Sequence, residues 1–136
     1  AYYNTFYKSS ITSIIFPQCS VTSIPSYCCS DCYNLSYVKV PEGYTYIGTA
    51  AFQKCSISLL ELPSTLTGLG DNIMFNNTSN CSIKCLATVP PAMSSTSFGY
   101  TSKTVSIYVP DSSVNAYKAS WSYYGTRIFA LSTYGG

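Results

Sequence analysis

Leu59-Leu60-Glu61-Leu62-Pro63 sets two leucines, Leu60 and Leu62, two residues apart and closes them with proline. Residues two apart share one face of a strand. Proline has no N–H to give a ladder, so it ends the strand. The same frame stands twice upstream, as Tyr37-Val38-Lys39-Val40-Pro41 and Ser13-Ile14-Ile15-Phe16-Pro17, with the prolines 24 and 22 residues apart. A second unit follows each proline: Val21-Thr22-Ser23-Ile24, Tyr44-Thr45-Tyr46-Ile47 and Leu66-Thr67-Gly68-Leu69, whose threonines are 23 and 22 apart. Phe6, Cys29, Phe52 and Phe75 then recur at 23-residue steps, each followed three residues later by Ser9, Cys32, Cys55 or Thr78. This is an internal repeat, and it decides the architecture.

One short strand and its turn cannot bury an apolar face alone, whereas stacked copies cover one another. Strands recurring in one direction build a parallel sheet with about 4.8 Å between coils. The frame predicts Ile14, Phe16, Val38, Val40, Leu60 and Leu62 as inward residues, with Phe6, Phe52 and Phe75 filling the far side of the coil.

The copy Ala51-Phe52-Gln53-Lys54-Cys55, Leu60-Glu61-Leu62-Pro63, Leu66-Thr67-Gly68-Leu69-Gly70 resembles the BspA-like leucine-rich repeats. A second copy keeps Cys32, Leu35, Val38, Val40, Pro41, Thr45, Ile47 and Gly48 but has Cys28-Cys29 where Ala-Phe is expected; the first replaces the cysteine by Ser9. The resemblance implies a leucine-rich-repeat solenoid of α/β type, with short parallel strands, a mostly irregular convex side and a C-terminal strand-helix cap. Residues 1–90 are read as about four repeats of 22–24 residues, 91–131 as the capping unit and 132–136 as a frayed tail. The resemblance also implies a non-enzymatic bacterial module, secreted or on the cell surface, that adheres to host or cell-surface protein. Ala1 falls inside a repeat, so the chain is expected to be the C-terminal piece of a longer protein.

In the cap, Val105, Ile107 and Val109 alternate as a strand. Asp111 or Ser112 is the expected helix N-cap. The helix would carry Tyr117 and Trp121 on one face and stop at Gly125, and Arg127–Leu131 would form a strand or an extended tail.

Composition excludes several functions. Only 9% of the 136 residues are charged, and the net charge is +2. Globular chains carry about 25%, and nucleic-acid binders concentrate positive charge. No nucleic acid is therefore expected as partner, and the short apolar runs predict no membrane insertion in this segment. Histidine is absent, which removes the commonest general base and metal ligand. Asp31, Glu42, Glu61, Asp71 and Asp111 form no close pair. Ser36-x-x-Lys39 puts its two side chains on opposite strand faces. No catalytic residue, cofactor or metal is assigned. The seven cysteines include Cys29-x-x-Cys32 and Cys81-x-x-x-Cys85. The spacings differ and lie far apart, so the repeat-to-repeat match of Cys32 with Cys55 favours buried packing over zinc.

The outward strand positions are Ser13 and Ile15, Tyr37 and Lys39, Leu59 and Glu61, then Lys84 and Leu86. Of these, Ile15, Tyr37, Lys39, Leu59, Glu61 and Lys84 are the candidate binding residues. Tyrosine is large, stiff and half polar, which suits contact surfaces. Protein is the expected partner; a glycan ligand, or a spacer with no ligand of its own, are the alternatives.

Overall fold

The computed structural model describes residues 6, 8–18, 20–99 and 104–135. Its strands are β1 (Ser13–Ile15), β2 (Ser23–Ile24), β3 (Tyr37–Lys39), β4 (Tyr46–Ile47), β5 (Leu59–Leu62), β6 (Gly68–Leu69), β7 (Cys81–Cys85), β8 (Val105–Val109) and β9 (Ile128–Ala130), with one helix, α1 (Val114–Ser120), between the last two strands. Among the described residues they form two parallel sheets. The larger runs β1-β3-β5-β7-β8-β9 and the smaller β2-β4-β6. Register is unbroken across the larger sheet: Ile14, Val38 and Leu60 align with Ile83, Ile107 and Ile128. From Val38 onward this inward row is fully buried, while Ile14 is only half-buried. The sheet continues past residue 90 in the same register, through β8 and β9.

The smaller sheet puts strands where an irregular side is expected. It comes from the units after each proline: Ile24, Ile47 and Leu69 align and are buried. Between the sheets, the convex turns have no strand but are still tied coil to coil by backbone hydrogen bonds. Cys29 N–H donates to the Ala51 carbonyl at 2.7 Å, and Phe52 N–H to the Ile73 carbonyl at 2.8 Å. These bonds correct one alignment. Phe52 stands opposite Met74, which is fully buried, and Phe75 is half-exposed. Likewise Asn77, not Thr78, succeeds Cys55. Its side chain accepts from Ile57 N–H at 2.7 Å and donates to the Ile57 carbonyl at 2.9 Å. This coil is one residue shorter at that point, so a uniform 23-residue step overshoots.

The turns repeat a backbone conformation as well as a sequence. Tyr27, Ala50 and Asn72 have positive φ, and so do Lys8, Asp31, Lys54 and Asn76 four residues further on in their coils. Left-handed backbone costs an ordinary L-residue about 1–2 kcal/mol, and Asn and Asp tolerate it best. Exposed Lys54 sits at φ 57° where neighbouring coils use Asp31 and Asn76. Lys54→Asn is therefore expected to raise stability by about 0.5–1 kcal/mol, read as a higher urea midpoint with unchanged slope. A lower midpoint would show that the lysine, not the backbone, matters there.

The C-terminal unit is β8, α1 and β9, a parallel pair joined by a helix. Tyr117 and Trp121 share its buried face, with ring centroids 4.8 Å apart. Neither expected residue caps the helix. Asp111–Ser113 forms a 3-10 turn that leads into α1, so the N-cap is Ser113, whose hydroxyl instead donates to the Thr88 carbonyl. The Asp111 carboxylate accepts from Ser132 N–H at 3.0 Å, and hydrogen bonding from the Ser132 hydroxyl, then from this N–H, holds its carboxyl below the ordinary range. Gly125 lies within a second 3-10 segment, Ser122–Arg127, and does not end the helix, which stops at Ser120. After β9, Leu131–Thr133 forms a 3-10 turn, and Tyr134 packs edge-on against Tyr108. Cys19 and Gly136 lie outside the described residues.

Candidate interaction face

Strand alternation places every second residue of the larger sheet outward. Parallel register turns those positions into two rows. One row is Ser13, Tyr37, Leu59, Ser82 and Ser106; the other is Ile15, Lys39, Glu61, Lys84, Tyr108 and Phe129. The six residues singled out from sequence therefore stand side by side on β1, β3, β5 and β7. Ile15 is the most open apolar side chain among them, at 65% exposure. The Tyr37 hydroxyl donates to the Glu61 carboxylate at 2.7 Å. Burial first, then this carboxylate, pushes the Tyr37 phenol up to about 12, so it stays a neutral donor. Glu61 is flanked in its row by Lys39 and Lys84, giving a stripe of alternating charge sign.

Below the stripe, where the strands end, Pro17, Pro41, Pro63 and Leu86 help to line an open groove of about 590 Å³ together with Ile15 and Phe16. Leu86 occupies the place that proline holds in the earlier coils, and it is exposed. Sequence reading missed the far end of the ribbon. Tyr108 and Phe129 lie with centroids 5.6 Å apart, and Tyr134 folds back onto Tyr108 at 5.0 Å. The Lys84 ammonium rests 4.1 Å from the centre of the Tyr134 ring. The strand alternation of Val105–Val109 already placed Tyr108 outward; the return of Tyr134 has no signal in the sequence.

The remaining carboxylates are engaged in hydrogen bonds, within one turn for Asp31 and between coils for Glu42 and Asp71. Asp31 accepts from Ser30 and Tyr33, Glu42 from Ser64, and Asp71 from Ser94 and Thr96. No two of the five carboxylates accept from a common donor in these contacts. The six described cysteines are buried. The Cys32 thiol donates to the Phe6 carbonyl at 2.8 Å and the Cys55 thiol to the Cys29 carbonyl at 3.2 Å, one coil back in each case. Cys85 lies 3.3 Å from the Tyr117 hydroxyl. Burial pushes the Cys55 and Cys81 thiols up to about 12, so they remain protonated small hydrophobes. Among the described residues no three His, Cys, Asp or Glu side chains are grouped so as to hold a metal ion, and no helix is long and apolar enough to cross a membrane.

A family model described as the BspA type leucine rich repeat region, in 6 copies, matches residues 2–126. No curated protein matches the chain.

Proposed function

The chain belongs to the BspA-type leucine-rich repeat family, and on that premise we propose that it is a non-enzymatic protein-interaction module that binds through the outer face of its larger sheet. The observation that carries this reading is the pair of in-register outward rows. They set Ile15, Tyr37, Lys39, Leu59, Glu61 and Lys84 into one ribbon beside an apolar groove. Apolar and aromatic anchors flanked by both charge signs are what a specific protein contact needs: the anchors supply affinity and the charges orient the partner. The partner class is a host extracellular or cell-surface protein, and the setting is the cell surface or the secreted fraction. The absence of histidine and the engagement of Glu42, Glu61 and Asp71 in coil-to-coil bonds support a module without catalysis.

A glycan reading is favoured by one separate feature, the aromatic group Tyr108, Phe129 and Tyr134 at the end of the same ribbon. The test is a binding screen of the purified chain against extracellular-matrix proteins and a glycan array, beside a Tyr37→Ala, Lys39→Ala double variant with an unchanged melting curve. The expected result is a protein hit weakened at least about tenfold in the variant, since truncating an anchor costs upward of 1.4 kcal/mol. A glycan hit lost on Phe129→Ala would transfer the function to the aromatic end. Silence in both screens would leave a spacer.

A further inference from the structure

Two adjacent cysteines in the turn between β2 and β3 form a second feature, unrelated to the sheet face. Neighbouring side chains in an extended strand point opposite ways, but here the left-handed residue Tyr27, at φ 61°, turns the chain so that Cys28 and Cys29 are both buried. Their sulfurs are 4.0 Å apart. The backbone around them is fixed from both sides. Cys29 N–H donates to the Ala51 carbonyl at 2.7 Å, and the Cys28 carbonyl accepts from Phe6 N–H at 2.8 Å.

A direct disulfide does not suit this geometry. Adjacent Cα atoms are about 3.8 Å apart, below the roughly 4.4–6.8 Å that disulfides span. The fixed backbone also holds the sulfurs well beyond bonding distance. A bridging atom does suit it. Two bonds of about 2.3 Å, the usual metal–thiolate length, close a 4.0 Å gap at an angle of about 120°. Cys32 and Cys55 are committed to backbone carbonyls, and among the described residues no three-ligand group exists, so a tetrahedral zinc site is not offered. Soft two-thiolate chemistry is. The Cys29 thiol points its proton at the Cys28 sulfur; this bond lowers the Cys28 pKa and, together with burial, raises that of Cys29.

We propose that Cys28 and Cys29 form a two-thiolate site for a soft thiophilic centre, a trivalent organoarsenical or a copper(I) ion. With an arylarsenic(III) oxide, two As–S bonds form, the oxide leaves as water carrying both thiol protons, and no atom changes oxidation state. With copper(I), two Cu–S bonds form and the thiol protons pass to solvent. Entry is through Cys28, at 3% exposure, because Cys29 is fully covered.

The test incubates the folded, reduced chain with phenylarsine oxide and reads native mass spectra and melting curves. The expected result is one arsenical per chain, with one water lost and a raised Tm, since a ligand that binds only the native state stabilises it. Cys28→Ser should lose the adduct and Cys81→Ser should keep it. If Cys28→Ser does not fold, fragmentation of the wild-type adduct locates the arsenic, expected on Cys28 and Cys29. An adduct that forms only in urea, survives in Cys28→Ser, or maps to Cys32 or Cys55 overturns the site. Copper(I) delivered as its acetonitrile complex should displace the arsenical. Copper binding that leaves the arsenical in place overturns the proposal for the metal ion.

Discussion

Gly48→Ala is expected to destabilise the chain by about 2–4 kcal/mol, overpacking together with a lost backbone hydrogen bond, a large part of a domain's marginal stability. A Cβ at this position would stand 2.5 Å from the Ser26 nitrogen, 2.8 Å from the Ile24 carbonyl oxygen and 2.9 Å from the Pro25 carbonyl carbon. All three are backbone atoms of the preceding coil, so no side chain can rotate away. The contact is also the coil's own joint: Gly48 N–H donates to the same Ile24 carbonyl at 2.8 Å. Making room for a methyl group means parting the coils and losing that bond. Gly70, one coil on, meets Thr49 nitrogen at 2.7 Å and should behave alike. Gly125 has nothing within 4 Å of its Cβ, so Gly125→Ala should change stability by less than about 0.5 kcal/mol. Urea titration followed by the fluorescence of the one tryptophan measures all three. A Gly48→Ala variant as stable as Gly125→Ala would mean the coils can part without cost, and the close approach would then contribute nothing to the fold.

Trp121→Ala is expected to cost about 3–5 kcal/mol, the range for emptying a fully buried large aromatic site. Trp121 is 1% exposed; it meets Phe98 edge-on at 5.6 Å and Tyr117 at 4.8 Å, and its indole N–H donates to the Pro91 carbonyl at 3.0 Å. The substitution leaves a cavity beneath α1 and an unpaired Pro91 carbonyl. Trp121→Phe should fall between the two, since it keeps ring packing and loses the bond. In a solenoid each coil holds only its neighbours, so the loss should be local. Hydrogen exchange in Trp121→Ala is expected to show protection falling first in α1 and β9, while β3 and β5 keep most of theirs. Uniform loss along the chain would show that the coils unfold as one unit and that the terminal layer governs all of them.

Much of the fold was legible because it rests on short-range rules repeated many times. Val38 with Val40 and Leu60 with Leu62 announce buried strand faces by alternation alone, and Pro41 and Pro63 mark their ends. The outward residues followed from the same alternation, which is why Lys39, Glu61 and Lys84 were all expected outward; the order of the pairs set Lys84 level with Leu59, and only the strand register puts it beside Glu61. What failed were features in which one residue of slack matters. Met74 and Phe75 are both credible fillers, and nothing within the coil chooses between them. The bond from Phe52 N–H to the Ile73 carbonyl does. Asp111 reads as a cap by composition, yet its carboxylate goes to Ser132, a partner supplied by a segment that follows β9.

The repeat, the strand positions, the inward and outward sets and hence the sheet face as candidate site are readable from the residue string. Each of these depends on periodicity within a single coil, where the chemistry of a residue and its parity on the strand suffice. The second sheet, the shortened step at Met74 and Asn77, the fold-back of Tyr134 onto Lys84 and Tyr108, and the 4.0 Å approach of the Cys28 and Cys29 sulfurs come instead from the folded chain. These arise from contacts between coils, whose geometry depends on how closely neighbouring backbones pack, and a residue string carries that only where a glycine such as Gly48 marks the close approach.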